Sequence, residues 1–192
     1  MTEKINTQAK VRVGGPSGRE TCTIRSPRID DYKKMADLAG QLGYPSAEEE
    51  IRLRIKRMKD DDHAVFVAEL ETGQILGWVG MYIFRSVETD HCTFISGLIV
   101  DETFRSRGIG KVLLKAAEEW ARRRGCHTIC VSSNVIRSCA HVFYLGNGFR
   151  NVKTQITFLK DLDGTEPCAE LGCREQGSFE AQIEQLDDLR DR

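Results

Sequence analysis

No apolar run in the chain approaches the roughly 20 residues that a membrane-spanning helix needs. The longest, Val65-Phe66-Val67-Ala68 and Leu98-Ile99-Val100, are strand-sized, so no membrane partner is expected. An excess of one charge is missing too. The 28 basic and 29 acidic side chains leave a formal net charge of −1, whereas nucleic-acid-binding domains usually carry a basic excess. No nucleic-acid partner is expected beyond what a local basic patch would allow. The polar first 20 residues lack the apolar stretch of a secretory signal, and the expected location is the cytoplasm. Paired cysteine spacing is also absent. The seven cysteines are odd in number, and Cys126–Cys130 and Cys168–Cys173 are not metal-knuckle spacings. The four histidines (His63, His91, His127, His141) are not spaced as ligands for a tetrahedral metal site, so no metal is expected. The cysteines read as small, reduced, buried hydrophobes.

A chain of 192 residues suits one domain. Composition divides it into a flexible arm (1–20), a folded domain (21–160) and an acidic tail (161–192) with a weak helical pattern over 179–189. Thr21–Arg25 reads as a short strand. Ser26-Pro27 reads as a helix entry, and Ile29, Met35, Leu38, Ala39 and Leu42 continue the helix to about Gly43. After the Tyr44-Pro45 break, Ser46 and Glu49 resemble a capping box for a second helix carrying Ile51, Ile55 and Met58. Three strands follow as an antiparallel meander, Ala64–Leu70, Ile75–Arg85 and Cys92–Val100. Gly77 and Gly80 mark a bulge or a close backbone approach in the second.

The period then changes. Ile109, Val112, Leu113, Ala116, Ala117, Trp120 and Ala121 form one helical stripe that Gly125 terminates. A strand at Thr128–Ser132, a helix at Ser138–Leu145 and one or two strands from Phe149 through Ile156, Phe158 and Leu159 complete the order βααβββαβαββ. The fold class is α/β: an α+β sandwich of helices around a mixed, mostly antiparallel central sheet, not a doubly wound parallel one.

The chemistry is written between Gly97 and Lys111. An apolar strand ends, a loop carries Arg105, Ser106 and Arg107, and Gly108-Ile109-Gly110 opens the strongest helix. A helix N-terminus offers unpaired N–H groups and a positive dipole end, which suits phosphate. Arg105, Arg107 and Lys111 add positive charge. A dinucleotide fingerprint fails because Leu113 stands at the third glycine and no acidic residue ends the next strand, Ile129–Ser133. A P-loop fails because Arg105 replaces its first glycine and Val112 its Ser/Thr.

Arg105-x-x-Gly108-x-Gly110 resembles the [Q/R]-x-x-G-x-[G/A] turn of the GNAT acetyltransferases. Asn134, Ala140-x-x-Phe143-Tyr144 and Gly148-Phe149 resemble that family's later signature, and the likeness spans roughly residues 21–160. The resemblance implies acetyl-CoA as cosubstrate and acetyl transfer to a primary amine, of a small molecule or of a lysine, by direct attack. The turn from Arg105 to Lys111 would wrap the pyrophosphate. Leu98, Ile99 and Val100 would bind the pantetheine arm, with Asn134, Ala140 and Phe143 lining or ordering the cofactor site. Tyr144 stands at the family's general-acid position. Glu88 and Asp90 are the candidate bases, with Glu69 and His91 behind them, though each also reads as a solvated hairpin charge.

The acidic residues Glu48, Glu49, Glu50, Asp60, Asp61 and Asp62 favour a cationic acceptor, such as an aminoglycoside-like amine. The terminal segments are candidates for docking a partner or capping a homodimer. A non-catalytic acyl-CoA-binding module, or an acyltransferase using another acyl group or acceptor, is the alternative.

Overall fold

The computed structural model describes residues 9–15, 18–58, 61–160 and 162. Residues 1–153 form one compact unit and residues 154–192 a second. The first unit is a six-stranded sheet in sequential order: β1 (Ala9–Gly15), β2 (Gly18–Arg25), β3 (His63–Leu70), β4 (Ile75–Phe84), β5 (Cys92–Val100) and β6 (Ile129–Val131). Every pairing is antiparallel except the last, β5 with β6. Helix α3 (Ile109–Arg123) makes the crossover between those two strands. Its buried stripe of Ile109, Leu113, Leu114, Ala116, Ala117, Trp120 and Ala121 packs on one face of the sheet. Helices α1 (Tyr32–Gln41) and α2 (Glu48–Arg57) cover the other face through Met35, Leu38, Ala39 and Ile51, over Val67, Ile75 and Ile99. Helix α4 (Ser138–Gly146) follows β6. No helix among the described residues is long and apolar enough to cross a membrane.

Several expectations need correction. Within the supposed flexible arm, Ala9–Gly15 and the residues from Gly18 to Glu20 are sheet, paired from Ala9↔Ile24 to Gly15↔Gly18. Overall polarity hid the alternation of Val11 and Val13, and Val13 is buried. No strand forms from Phe149 to Lys160. That segment has a strand's alternation but no ladder partner among the described residues, and strand backbone is stable only when its N–H and C=O groups are paired. The expected helix over 179–189 lies outside the described residues. Helix α1 begins at Tyr32, five residues beyond Pro27. The Asp31 carboxylate accepts the Arg28 N–H (2.6 Å) and closes a 3₁₀ turn at Ile29–Asp31 first. The α2 cap also sits one residue later than expected: Glu50 accepts the Ala47 N–H at 2.6 Å. Of the described cysteines, Cys22, Cys92 and Cys126 are buried, while Cys130 and Cys139 are exposed.

Gly77 and Gly80 mark both features that the sequence suggested. A Cβ at Gly77 would overlap the carbonyl oxygen of Ile99. At Gly80 the register with β5 shifts: Gly80 faces Gly97 while Met81 faces Ile95, leaving Ser96 bulged.

A buried ion cluster ties α1 to the sheet. Arg25 donates to Asp31 through two nitrogens (2.6 and 2.9 Å) and to Glu69 through two (both 2.7 Å). Burial alone would raise the Asp31 pKa, but the bonds from Arg25 and the Arg28 amide outweigh it and hold it low. The Arg25 bonds likewise lower Glu69. Carboxylates depressed in the folded state contribute stability above their unfolded pKa of about 4 and lose it as pH falls through the folded values. The chain should therefore lose stability in acid below about pH 4. Arg25→Leu, which leaves two carboxylates without their partner, should cost about 3–5 kcal/mol at pH 7, measured by urea denaturation, and flatten the acid limb. A cost under about 1 kcal/mol would mean the cluster holds nothing in place.

Candidate active site

The site starts from a parting of two strands. Parallel pairing of β5 with β6 runs Thr93↔Ile129, Phe94↔Cys130, Ile95↔Val131 and then stops. The Ser96 bulge turns the rest of β5 away, and on its other edge it stays paired with β4 as far as Gly77↔Val100. Opposed residues in an antiparallel ladder alternate between exchanging hydrogen bonds and not. The Asp101 N–H bonds to the Leu76 carbonyl (2.8 Å), so the Ile99 groups also point to β4. Those of Leu98 and Val100 point into the opening. Two of the three residues expected to line the pantetheine arm thus turn toward the opening amides that have no ladder partner among the described residues, and Ile99 is a buried spacer.

At the mouth of the opening, the chain folds into an anion cradle. The buried Asp101 carboxylate accepts Thr103 N–H (3.0 Å), Thr103 Oγ1 (2.7 Å) and Lys34 Nζ (2.6 Å), which stiffens a 3₁₀ turn at Glu102–Phe104 and pins it to α1. Arg105 Nε donates to the Val100 carbonyl (3.2 Å). Ser106 and Gly108 then take left-handed backbone (φ 62° and 86°), which gathers successive N–H groups into a concavity. Gly108 is the N-cap of α3 and no side chain caps the helix. A Cβ on Gly108 would meet nothing within 4 Å, so this side is open. The N–H groups of the first turn, at Ile109, Gly110 and Lys111, have no intrahelical partner by geometry, while the Ile109 side chain is core.

Arg107 lies over the Phe104 ring (4.8 Å) with Nη2 on the Thr103 carbonyl (3.1 Å). Its Nη1 is buried with no partner among the described residues, as is Ser133 Oγ just past β6. Orphaned donors on both walls, beside an uncapped helix start, fit a phosphate-bearing ligand. Strand β1, outside the residues expected to matter, touches the cradle: Gly14 N–H donates to the Arg107 carbonyl at 3.2 Å. An open groove of about 430 Å³ with Lys111, Lys115 and Arg122 on its wall runs along α3.

Helix α4 closes the far side. A Cβ at Gly110 would stand 3.2 Å from Phe143 Cε2 and 3.7 Å from Val100 Cγ2. This second glycine therefore serves the approach of Phe143 as well as any ligand. Tyr144 is half-buried, edge-on to Phe143 (5.2 Å) and Phe149 (5.3 Å). Burial pushes its phenol pKa up, and the charge of Arg137 pulls weakly the other way. Asn134 builds the β6–α4 connection: Oδ1 accepts the Ile136 N–H (3.1 Å) and its carbonyl accepts the Arg137 N–H (3.0 Å). Ala140 continues from there, its N–H on the Arg137 carbonyl (3.0 Å).

The expected bases are not brought to this cradle. Glu88 is exposed and accepts from Ser86, which lowers its pKa. Asp90 is exposed on the same β4–β5 connection. The neighbouring His91 approaches Gly125, just past the C-terminal end of α3. The cradle is at the other end of that 15-residue helix, about 22 Å away at 1.5 Å per residue. Glu69 is held by Arg25. Sequence reasoning missed Ser96, whose bulge parts the strands, and Arg137, whose Nη2 donates to the Leu42 carbonyl (2.7 Å) across 95 positions of chain. Only the glycines at 77, 80 and 97 hinted at the first, and nothing local signals the second.

Comparison with known proteins agrees with this geometry. The model of the acetyltransferase (GNAT) family matches residues 32–149, from α1 through α4 to Phe149. An aminoglycoside N(6')-acetyltransferase type 1 of Stenotrophomonas maltophilia is 26% identical over 146 residues, covering 73% of this chain and 94% of the relative. A glucosamine 6-phosphate N-acetyltransferase of Arabidopsis thaliana is 27% identical over 146 residues, covering 72% and 96%. The crystal structure of that Arabidopsis activity superposes with a TM-score of 0.64 at 27% identity, over 74% of this chain and 100% of the other. With the parted strands, the uncapped helix and this match over more than half its length, the chain belongs to the GNAT acetyltransferase family.

Proposed function

We propose that the chain transfers an acetyl group from acetyl-CoA to the primary amine of a small molecule by direct attack. The observation that carries this reading is the uncapped N-terminus of α3 standing beside the unpaired edge of β5. The first is an anion site and the second a row of free amides. Acetyl-CoA supplies an activated thioester. The N–H groups of Gly108 to Lys111, with the charges of Arg105, Arg107 and Lys111, hold the pyrophosphate. The Leu98 and Val100 amides hold the pantetheine and donate to the thioester carbonyl oxygen, where negative charge grows in the transition state. The amine nitrogen forms the new C–N bond as the C–S bond breaks. Sulfur keeps the electron pair and takes the phenol proton of Tyr144, which solvent then restores. The proton shed by the amine leaves to water. The relatives named above are acetyltransferases of small-molecule amines by name, which supports the acceptor class.

Tyr144→Phe should lower kcat at least about tenfold, since a positioned acid typically contributes 10²–10⁴-fold, with acetyl-CoA affinity within about twofold by calorimetry. Because burial raises the Tyr144 pKa, the wild-type kcat should fall only above the usual phenol value of about 10. The Phe variant should lack that limb, and equal turnover in the two would assign the acid elsewhere. Gly110→Asp should weaken acetyl-CoA binding about 100-fold or more by setting a carboxylate against phosphate. Gly110→Ala measures the separate crowding of Phe143. Equal losses in the two would leave packing, not charge, as the cause. Tight binding of acetyl-CoA without thiol release for any amine would make the chain a binding module.

A further inference from the structure

Resting on the amine-acetylating reading above, we infer that the acceptor is an amine that also carries an anionic group, and that Arg137 holds that anion. On the α1 side of the sheet, the bulge brings Gly80, Ser96 and Gly97 close under Trp78 and Leu42. A Cβ at Gly97 would stand 2.9 Å from Trp78 Cζ3 and 3.5 Å from Leu42 Cδ2, and one at Gly80 would stand 3.0 Å from Ser96 Oγ. The Trp78 indole Nε1 is buried with no partner among the described residues. Ser96 is also the point where β5 leaves β6, which is where the acetyl group is delivered in the proposed reaction.

Arg137 reaches from α4 to the end of α1. From the N-cap of α4 its Nη2 donates to the Leu42 carbonyl (2.7 Å), a Cβ at Gly43 would stand 3.4 Å from it, and the guanidinium carbon lies 5.9 Å from the centroid of the Tyr44 ring. That one bond leaves Nε and Nη1 without a hydrogen-bond partner among the described residues, and no described carboxylate pairs with the side chain. Arg137 and Tyr144 are seven residues apart, which puts them on one face of α4.

Four of the six acids that recommended a cationic acceptor are engaged elsewhere. Glu49 pairs with Arg52, Glu50 with Arg54 (3.9 Å) and the Ala47 N–H, Asp61 with Arg124 (3.6 Å), and Asp62 with Arg85. Asp60 lies outside the described residues. This side of the bulge therefore presents an uncompensated guanidinium, that of Arg137, and the hydroxyl of the exposed Ser96. A guanidinium with a free edge recognises carboxylate or phosphate, and it repels a polycation.

The test is kcat/KM, by thiol release, for matched acceptors: 2-aminoethanol against its phosphate, glucosamine against its 6-phosphate, and spermidine. The phosphate member should be preferred at least about tenfold, the size expected of a hydrogen bond to a charged group. Arg137→Gln should raise KM for the phosphate member about tenfold or more and change the neutral member less than about threefold. Arg137→Lys should keep part of the preference, and acetyl-CoA affinity should be unchanged in both variants. Three results overturn the inference: preference for the neutral amine or spermidine, equal loss for both members in Arg137→Gln (a structural strap only), or no turnover of any acceptor by a chain that binds acetyl-CoA. Failure to bind acetyl-CoA would overturn the underlying reading instead.

Discussion

Strand β5 has two ladders to satisfy, and past Ile95 it finds a partner for only one of them. An unpaired strand edge inside a folded domain leaves N–H and C=O groups that water or a ligand must satisfy. Here the cause is local. Ser96 is an extra residue against β4, and the strand swings away from β6 without breaking its other ladder. Gly80 and Gly97 let the sheet bend there, and Gly77 lets the β4 backbone close on Ile99. The opening and the amides of Leu98 and Val100 that face it follow from that single insertion.

Two further constraints keep the opening in shape. Lys34–Asp101 anchors the end of β5 to α1, and Arg25 with Asp31 and Glu69 fastens the entry to that helix. On the opposite face, α3 is driven into the sheet by Leu113, Leu114 and Trp120, all essentially inaccessible. Its burial fixes where its uncapped first turn points. Burial of each such side chain contributes about 1.5–3 kcal/mol, so the anion cradle rests on packing as much as on the glycines within it.

Much of this was legible in the sequence because the signals were local. The α3 stripe, the Arg105–Gly110 turn and the Ala140–Tyr144 run each encode their structure within one or two helical turns. What escaped depends on distant partners. Val11 and Val13 become a strand because β2 offers an edge, while the equally alternating Val152–Phe158 segment forms none. The pairing of the acidic residues around α2 with arginines likewise had no local signal. Arg137 had no signal of its own, since its importance comes from a carbonyl 95 residues away.

The central claim is that the cradle at Ser106–Lys111 and the opening beside β5 together bind acetyl-CoA. A thermal-shift titration with acetyl-CoA, run beside ATP and NAD, tests it most directly. A ligand that binds only the native state stabilises it by about 2.7 kcal/mol at 100 times its Kd. A saturable rise in Tm with acetyl-CoA and none with ATP or NAD is the result expected. No shift with acetyl-CoA, or equal shifts with all three, would contradict the account, because the cradle would then be either empty of function or a general phosphate site unconnected to the parted strands.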